Sequence, residues 1–230
     1  SFCPTGCRRM IPIHDSQRSF SKPVMTTLII GLNALAFLFE LSFDPFTRND
    51  LIAVLGFVPD HFRLLTIFTS MFLHSGWMHL LGNMLFLWVF GDNIEDILGR
   101  GSFVVFYLLC GAAAAMAQYL INPDSRVPMV GASGAIAGVM GAYMMKFPHA
   151  RITMVGWFLI IFSFDLPAYV VLLYWFALQF FSGVGSISDI QTRGGGVAFF
   201  AHVGGFVAGM VLIHLFKTRD LYRQRRDLLW

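Results

Sequence analysis

Ser133 stands in Gly131-Ala132-Ser133-Gly134 inside one apolar segment, and His202 stands inside another, 69 residues further on. A serine hydroxyl becomes a strong nucleophile only when a base takes its proton, and neutral imidazole suits that task near pH 7. The tetrahedral oxyanion that follows needs donors already in place. His79 and Asn83, four residues apart and so on one helix face, bring a ring N–H and a side-chain amide. The backbone N–H of Ser133 is a third candidate. These types specify acyl transfer by a serine–histidine pair. Asp165 and Asp189 fall in expected loops, which makes a two-residue dyad the better reading than a triad. The small residues around Ser133 would serve helix packing equally well. The chemistry therefore depends on whether the chain brings the serine and the histidine to one level.

Composition defines the elements that must do this. Of 230 residues 57% are hydrophobic and 13% charged, and mean hydropathy is +0.68. A soluble domain carries roughly 25% charged residues. The apolar residues come in continuous runs rather than alternation, which argues against a transmembrane barrel. The expected fold is an all-α polytopic membrane protein with six transmembrane helices, near 24–41, 77–91, 103–121, 129–145, 166–181 and 197–216. Residues 1–23 form an N-terminal segment without a cleavable signal, 24–216 one membrane domain, and 217–230 a basic tail. The loop 42–76 contains Pro45, Pro59 and amphipathic runs suited to an interface. The apolar run 154–164 is too short to cross at 1.5 Å per residue and reads as an interfacial or re-entrant piece.

Charge placement agrees with six spans. The N-terminal segment, the loops after spans two and four, and the tail carry 12 Lys and Arg; the other side carries 4, namely Arg48, Arg63, Arg126 and Arg193. The positive-inside rule then places both termini in the cytosol. A seventh span at 154–164 would send the basic tail outside, so none is expected. Cys3, Cys7 and Cys110 make neither a disulfide framework nor a convincing metal motif.

Depth follows by counting to the first charge at the cytosolic end. His79 to Asp92 is 13 residues, Ser133 to Lys146 is 13, and His202 to Lys217 is 15. All three residues then lie roughly 20 Å above that boundary, in a core about 30 Å thick. Asn83 lies a turn deeper. Gly131, Gly134, Gly138 and Gly141 form a stripe on span four, and His202, Gly205 and Gly209 continue one on span six. Such stripes let backbones approach closely.

The ordered set His74-Ser-Gly-Trp-Met-His79-Leu-Leu-Gly-Asn83, Gly131-Ala-Ser133-Gly134 and Ala201-His202-Val-Gly-Gly205, followed by Gly209, resembles the rhomboid family of intramembrane serine proteases. The resemblance runs from about Ile11 to the tail. It implies a six-helix rhomboid-like bundle with Ser133 as nucleophile, His202 as general base, and His79, Asn83 and the Ser133 N–H stabilising the oxyanion. It also implies substrates that are single-span membrane proteins, cut in or near their membrane segment in the lipid bilayer, without metal, ATP or other cofactor. Trp175, Phe176, Phe180 and Phe181 of the fifth helix resemble the lateral substrate gate, and the loop 182–196 resembles the cap. Mitochondrial members usually carry an extra leading helix, and none is legible before the six spans; this implies the plasma membrane of a bacterium or archaeon. Two positions depart from the family pattern. Ala137 stands where many members have an aromatic ring against the histidine, so other groups must orient His202. Phe62-Arg63 stands where Trp-Arg is frequent.

The alternatives are weaker. A metalloprotease on His74 and His79 lacks HExxH, and a spacing of five suits shared ligation poorly. A non-catalytic rhomboid-like protein that binds transmembrane helices for trafficking or quality control typically lacks the serine or the histidine. No span has the charges of a coupling site in a transporter, and nothing points to nucleic acid. His74 reads as interfacial structure, and His61, His149 and His214 as loop or helix-end residues. Gln118 and Gln179 either line a water path or hydrogen-bond between helices. Nothing in the chain sets an oligomeric state.

Overall fold

The computed structural model describes residues 9–17, 19–157, 161–193 and 199–219; Cys3, Cys7 and most of the basic tail lie outside them. Eight α-helices and a small sheet fill the described residues. The helices are α1 (Val24–Leu41), α2 (Pro45–Leu55), α3 (Leu64–Thr69), α4 (Trp77–Leu98), α5 (Arg100–Ile121), α6 (Ser133–Lys146), α7 (Ala168–Arg193) and α8 (Phe199–Leu212). Helices α1, α4, α5, α6, α7 and α8 correspond in order to the six expected spans. By length and composition α1 and α5 are each able to cross a membrane, and a third span counts if Leu64–Phe72 is joined to Trp77–Leu98 across a 92° bend. Ala168–Val184 and Phe199–Leu212 are apolar but shorter.

Two helices differ from expectation for physical reasons. α4 runs past Gly91 to Leu98 because its acidic residues are satisfied inside the protein. Ser19 Oγ donates to Asp92 at 2.8 Å, and the Phe20 and Ser21 N–H groups donate to Asp96 at 2.8 and 3.0 Å. Glu95 accepts from the N–H groups of Met25 and Thr26 and from the Thr26 hydroxyl. A carboxylate of one helix thereby caps another, α1, which has no side-chain cap of its own. The free N–H groups and positive dipole end of α1 favour that charge, worth about 0.3–2 kcal/mol. At α6 the difference is at the start. The helix begins at Ser133 itself, because Met129 is drawn into a bridge with Phe57 and Gly131 donates its N–H to the Ser70 carbonyl at 2.8 Å.

The all-α expectation is corrected by a three-stranded antiparallel sheet, β1 (Arg9–Asp15), β2 (Arg151–Trp157) and β3 (Ile161–Pro167), in the order β1-β2-β3. Where it is described, the apolar run read as an interfacial or re-entrant piece belongs to two strands, with Met10 opposite Gly156 and Arg151 opposite Pro167, and 158–160 lie outside the described residues. β-branched Ile152, Thr153 and Val155 suit the pleat, and alternate residues Ile152 and Met154 turn inward to the core. β3 leads directly into α7, whose first N–H groups are tied to the carbonyls of Ala150 and Pro148. Asp165, assigned to a loop from sequence, lies in β3, and Asp189 lies within α7.

The expected interfacial loop 42–76 folds into α2, α3 and two short 3₁₀ turns. Asp44 caps α2 ahead of Pro45, and the Thr47 hydroxyl with the Thr47 and Phe46 N–H groups holds its carboxyl below the usual range. Leu64 and Leu65 stay exposed on α3. α6 forms the centre of the bundle and packs most extensively on α8.

Candidate active site

The glycine stripes explain how α6 and α8 meet. A Cβ at Gly205 would strike the Gly134 carbonyl, one at Gly209 the Gly138 carbonyl, and one at Gly141 the Phe206 carbonyl. The two backbones lie against each other with no room for side chains. Ser133, first residue of α6, and His202, in the first turn of α8, border that contact. Ser133 Oγ lies 2.7 Å from His202 Nε2.

The direction of this bond follows from the other ring nitrogen. His202 Nδ1 lies 2.7 Å from Gln179 Oε1, which can only accept. Nδ1 therefore carries the ring proton, and Nε2 offers its lone pair to the serine hydroxyl. The Trp175 ring, one turn before Gln179 on α7, lies 5.9 Å from the imidazole at 41°. These two residues flank His202 where Ala137, fully buried, offers no ring. From sequence alone Gln179 fits two roles, a water path or an interhelical hydrogen bond. Its signal was a lone strongly polar residue in the apolar run Phe176–Phe181, four positions after Trp175.

His79 and Asn83 converge from α4. The Ser75 N–H points at His79 Nδ1 at 3.4 Å, and Ser75 Oγ lies 3.0 Å from the same atom. Nδ1 accepts, which leaves the proton of the neutral ring on Nε2. That nitrogen faces Gly131: a Cβ there would come within 2.7 Å of it and 3.4 Å of Asn83 Nδ2. Gly131 also has φ of 115°, so both the space and the backbone call for glycine. The Asn83 amide nitrogen is buried without a hydrogen-bond partner. The first N–H groups of α6 also lack helical partners. Three kinds of donor therefore gather beside the serine.

A cavity of about 1040 Å³ connects these groups, bounded by Ser133, His202, His79, Asn83, Gln118 and Trp175. Gln118 is buried in α5, its carbonyl oxygen without a partner. Of the expected gate residues, Trp175 and Phe176 pack on Phe206, while Phe180 and Phe181 are exposed on α7. The first part of the expected cap, 182–193, is a continuation of that helix, and 194–198 lie outside the described residues. His74 is fully buried behind His79, with its backbone tied to Glu40 and Arg48. Among the described residues no group of three or more His, Cys, Asp or Glu could hold a metal.

Residues 61–219 match the Rhomboid domain. Rhomboid protein 1, mitochondrial, of Saccharomyces cerevisiae is 28% identical over 93% of this chain and 70% of its own length. Rhomboid protease GluP of Bacillus subtilis is 35% identical over 54% of the chain, and presenilin-associated rhomboid-like protein, mitochondrial, of Mus musculus is 36% identical over 41%. The chain spans only about a quarter of the length of these last two. Two of the three are mitochondrial by name, which gives no support to a bacterial or archaeal plasma membrane. The matched segment holds Ser133, His202, His79 and Asn83 together, and with it the chain belongs to the rhomboid family.

Proposed function

We propose that this protein is an intramembrane serine endopeptidase that cleaves single-span membrane proteins in or near their transmembrane segments. The observation that carries the reading is the 2.7 Å hydrogen bond from Ser133 to His202, beside a buried Asn83 amide with no partner of its own. In the proposed reaction Ser133 Oγ attacks the peptide carbonyl while its proton passes to His202 Nε2. The oxyanion is met by Asn83 Nδ2, His79 Nε2–H and the N–H of Ser133 at the start of α6. The imidazolium then gives its proton to the leaving amine, and water repeats the sequence on the acyl-enzyme. The exposed Phe180 and Phe181, continuous along α7 with Trp175 and Phe176, support substrate entry from lipid past this helix. The mitochondrial names among the relatives favour a mitochondrial membrane for this chain.

The test is cleavage of a single-span substrate in liposomes, together with labelling by a fluorophosphonate. Ser133→Ala and His202→Ala are each expected to abolish both, a loss of at least about 10³-fold. Cleavage that persists in Ser133→Ala removes the nucleophile assignment. Capture of the substrate without cleavage by the unaltered protein would instead mark a non-catalytic transmembrane-helix binder.

A further inference from the structure

We infer that Gln179 is the positioning residue of the catalytic base: its side-chain carbonyl fixes the tautomer and orientation of His202, so that α7 completes the site it borders. The inference rests on the proposed dyad and goes beyond it. In a neutral imidazole only one nitrogen is protonated, and a base with the wrong tautomer presents N–H, not a lone pair, to the nucleophile. Gln179 Oε1 accepts from Nδ1 at 2.7 Å, on the side of the ring away from Ser133. Trp175 lies against the same ring from the same helix face, four residues earlier. Neither α6 nor α8 supplies an acceptor for Nδ1, and Ala137 of α6 offers only a methyl group.

The electrostatic surroundings make the amide a decisive partner. The titratable side chain acting on His202 is His79 of α4, while Ser133 of α6 and Gln179 and Trp175 of α7 are neutral. As the proton of Ser133 Oγ moves to Nε2, Nδ1 keeps its own and the amide oxygen continues to accept it, now from a cation. That bond strengthens as charge develops and so stabilises the transition state more than the ground state. Because the acceptor sits on α7, displacement of this helix from α8 separates it from the ring. The base is then fully oriented only when α7 is seated.

The experiment compares unaltered protein, Gln179→Met and Gln179→Glu by fluorophosphonate labelling, substrate cleavage across pH, and thermal unfolding. Gln179→Met keeps the side-chain length and removes the acceptor. It is expected to lower both labelling rate and kcat roughly tenfold, with KM changed less than about twofold. Gln179→Glu places a carboxylate on Nδ1, which favours the charged ring; the acid limb of kcat/KM is expected to move up by about one pH unit or more. A small probe needs no helix to part, so a residue acting only at substrate entry would alter cleavage and leave labelling unchanged. Labelling by Gln179→Met within about twofold of the unaltered protein overturns the inference. An unmoved acid limb in Gln179→Glu does the same, and decides the matter if Gln179→Met fails to fold. Loss of labelling only in Ser133→Ala and His202→Ala would leave the dyad intact and remove Gln179 from it.

Discussion

At Asp15 a single carboxyl group ties the N-terminal strand to the bundle. It accepts from Asn93 Nδ2 at 3.0 Å and from the Tyr143 hydroxyl. Burial pushes its pKa up to about 7; the Tyr143 bond opposes this and the neighbouring Asp92 charge adds to it. Between the ordinary value of 3.8 and about 7 the folded protein holds a proton that the unfolded chain releases. Stability attributable to this group is therefore greatest at the acid end of that window, falls as pH rises through it, and levels off above. Asp15→Asn removes the titration while keeping an acceptor. Its melting temperature is expected to vary less than that of the unaltered protein across the window, by at least about 3 °C. Equal slopes for the two proteins would show that Asp15 does not titrate in the fold. The same residue-level logic separates His79 from His74. Both are in the motif, but Ser75 orients the first toward the cavity, whereas the second is walled in by Phe37, Glu40 and Arg48.

Helices α6 and α8 show how an element carries a site. Their close approach depends on glycine at positions where any side chain would enter the facing backbone. Gly209→Leu puts a branched chain against the Gly138 carbonyl, two turns from His202. Overpacking of this kind costs about 1–3 kcal/mol, and the strain is relieved by moving α8 outward. Because a shift well under 1 Å lengthens the Ser133–His202 bond beyond good geometry, fluorophosphonate labelling is expected to fall more than thermal stability alone would explain. Gly101→Ala is the control: a Cβ at Gly101 meets nothing within 4 Å, so labelling should be unchanged. If both variants label alike, the glycine contact does not set the dyad distance. The stripes were legible in sequence because small residues at helical spacing have one structural use. The start of α6 was not. Met129 to Ala132 are as apolar as the helix, and only the bridge to Phe57 and the Gly131–Ser70 bond pull them out of it.

At the scale of the whole molecule, both described ends of the chain gather at one face. Asp15 reaches α4 and α6 there, and the Arg219 N–H donates to the Ile97 carbonyl at 2.7 Å. With the basic residues concentrated in the same segments, both termini are expected on one side of the membrane. Tags at the two ends, in protein inserted into sealed membrane vesicles, should be digested or protected together; opposite fates would remove the six-span reading. The sequence by itself determined that the chain is a membrane bundle, where its apolar helices lie in order, and which serine, histidines and asparagine belong together. Hydropathy, helical spacing and the tolerance of lipid for so few polar groups are local properties, readable in a window of residues. Only the tertiary structure decided that Arg151–Trp157 and Ile161–Pro167 are strands, since the first of them pairs with Arg9–Asp15, more than a hundred residues away, and carries the second along its other edge. It alone decided that the acidic end of α4 is buried, because Ser19 to Thr26 return to satisfy it. And it decided what holds His202. Gln179 becomes its partner through the packing of α7 on α8, a relation between distant segments that no local spacing encodes.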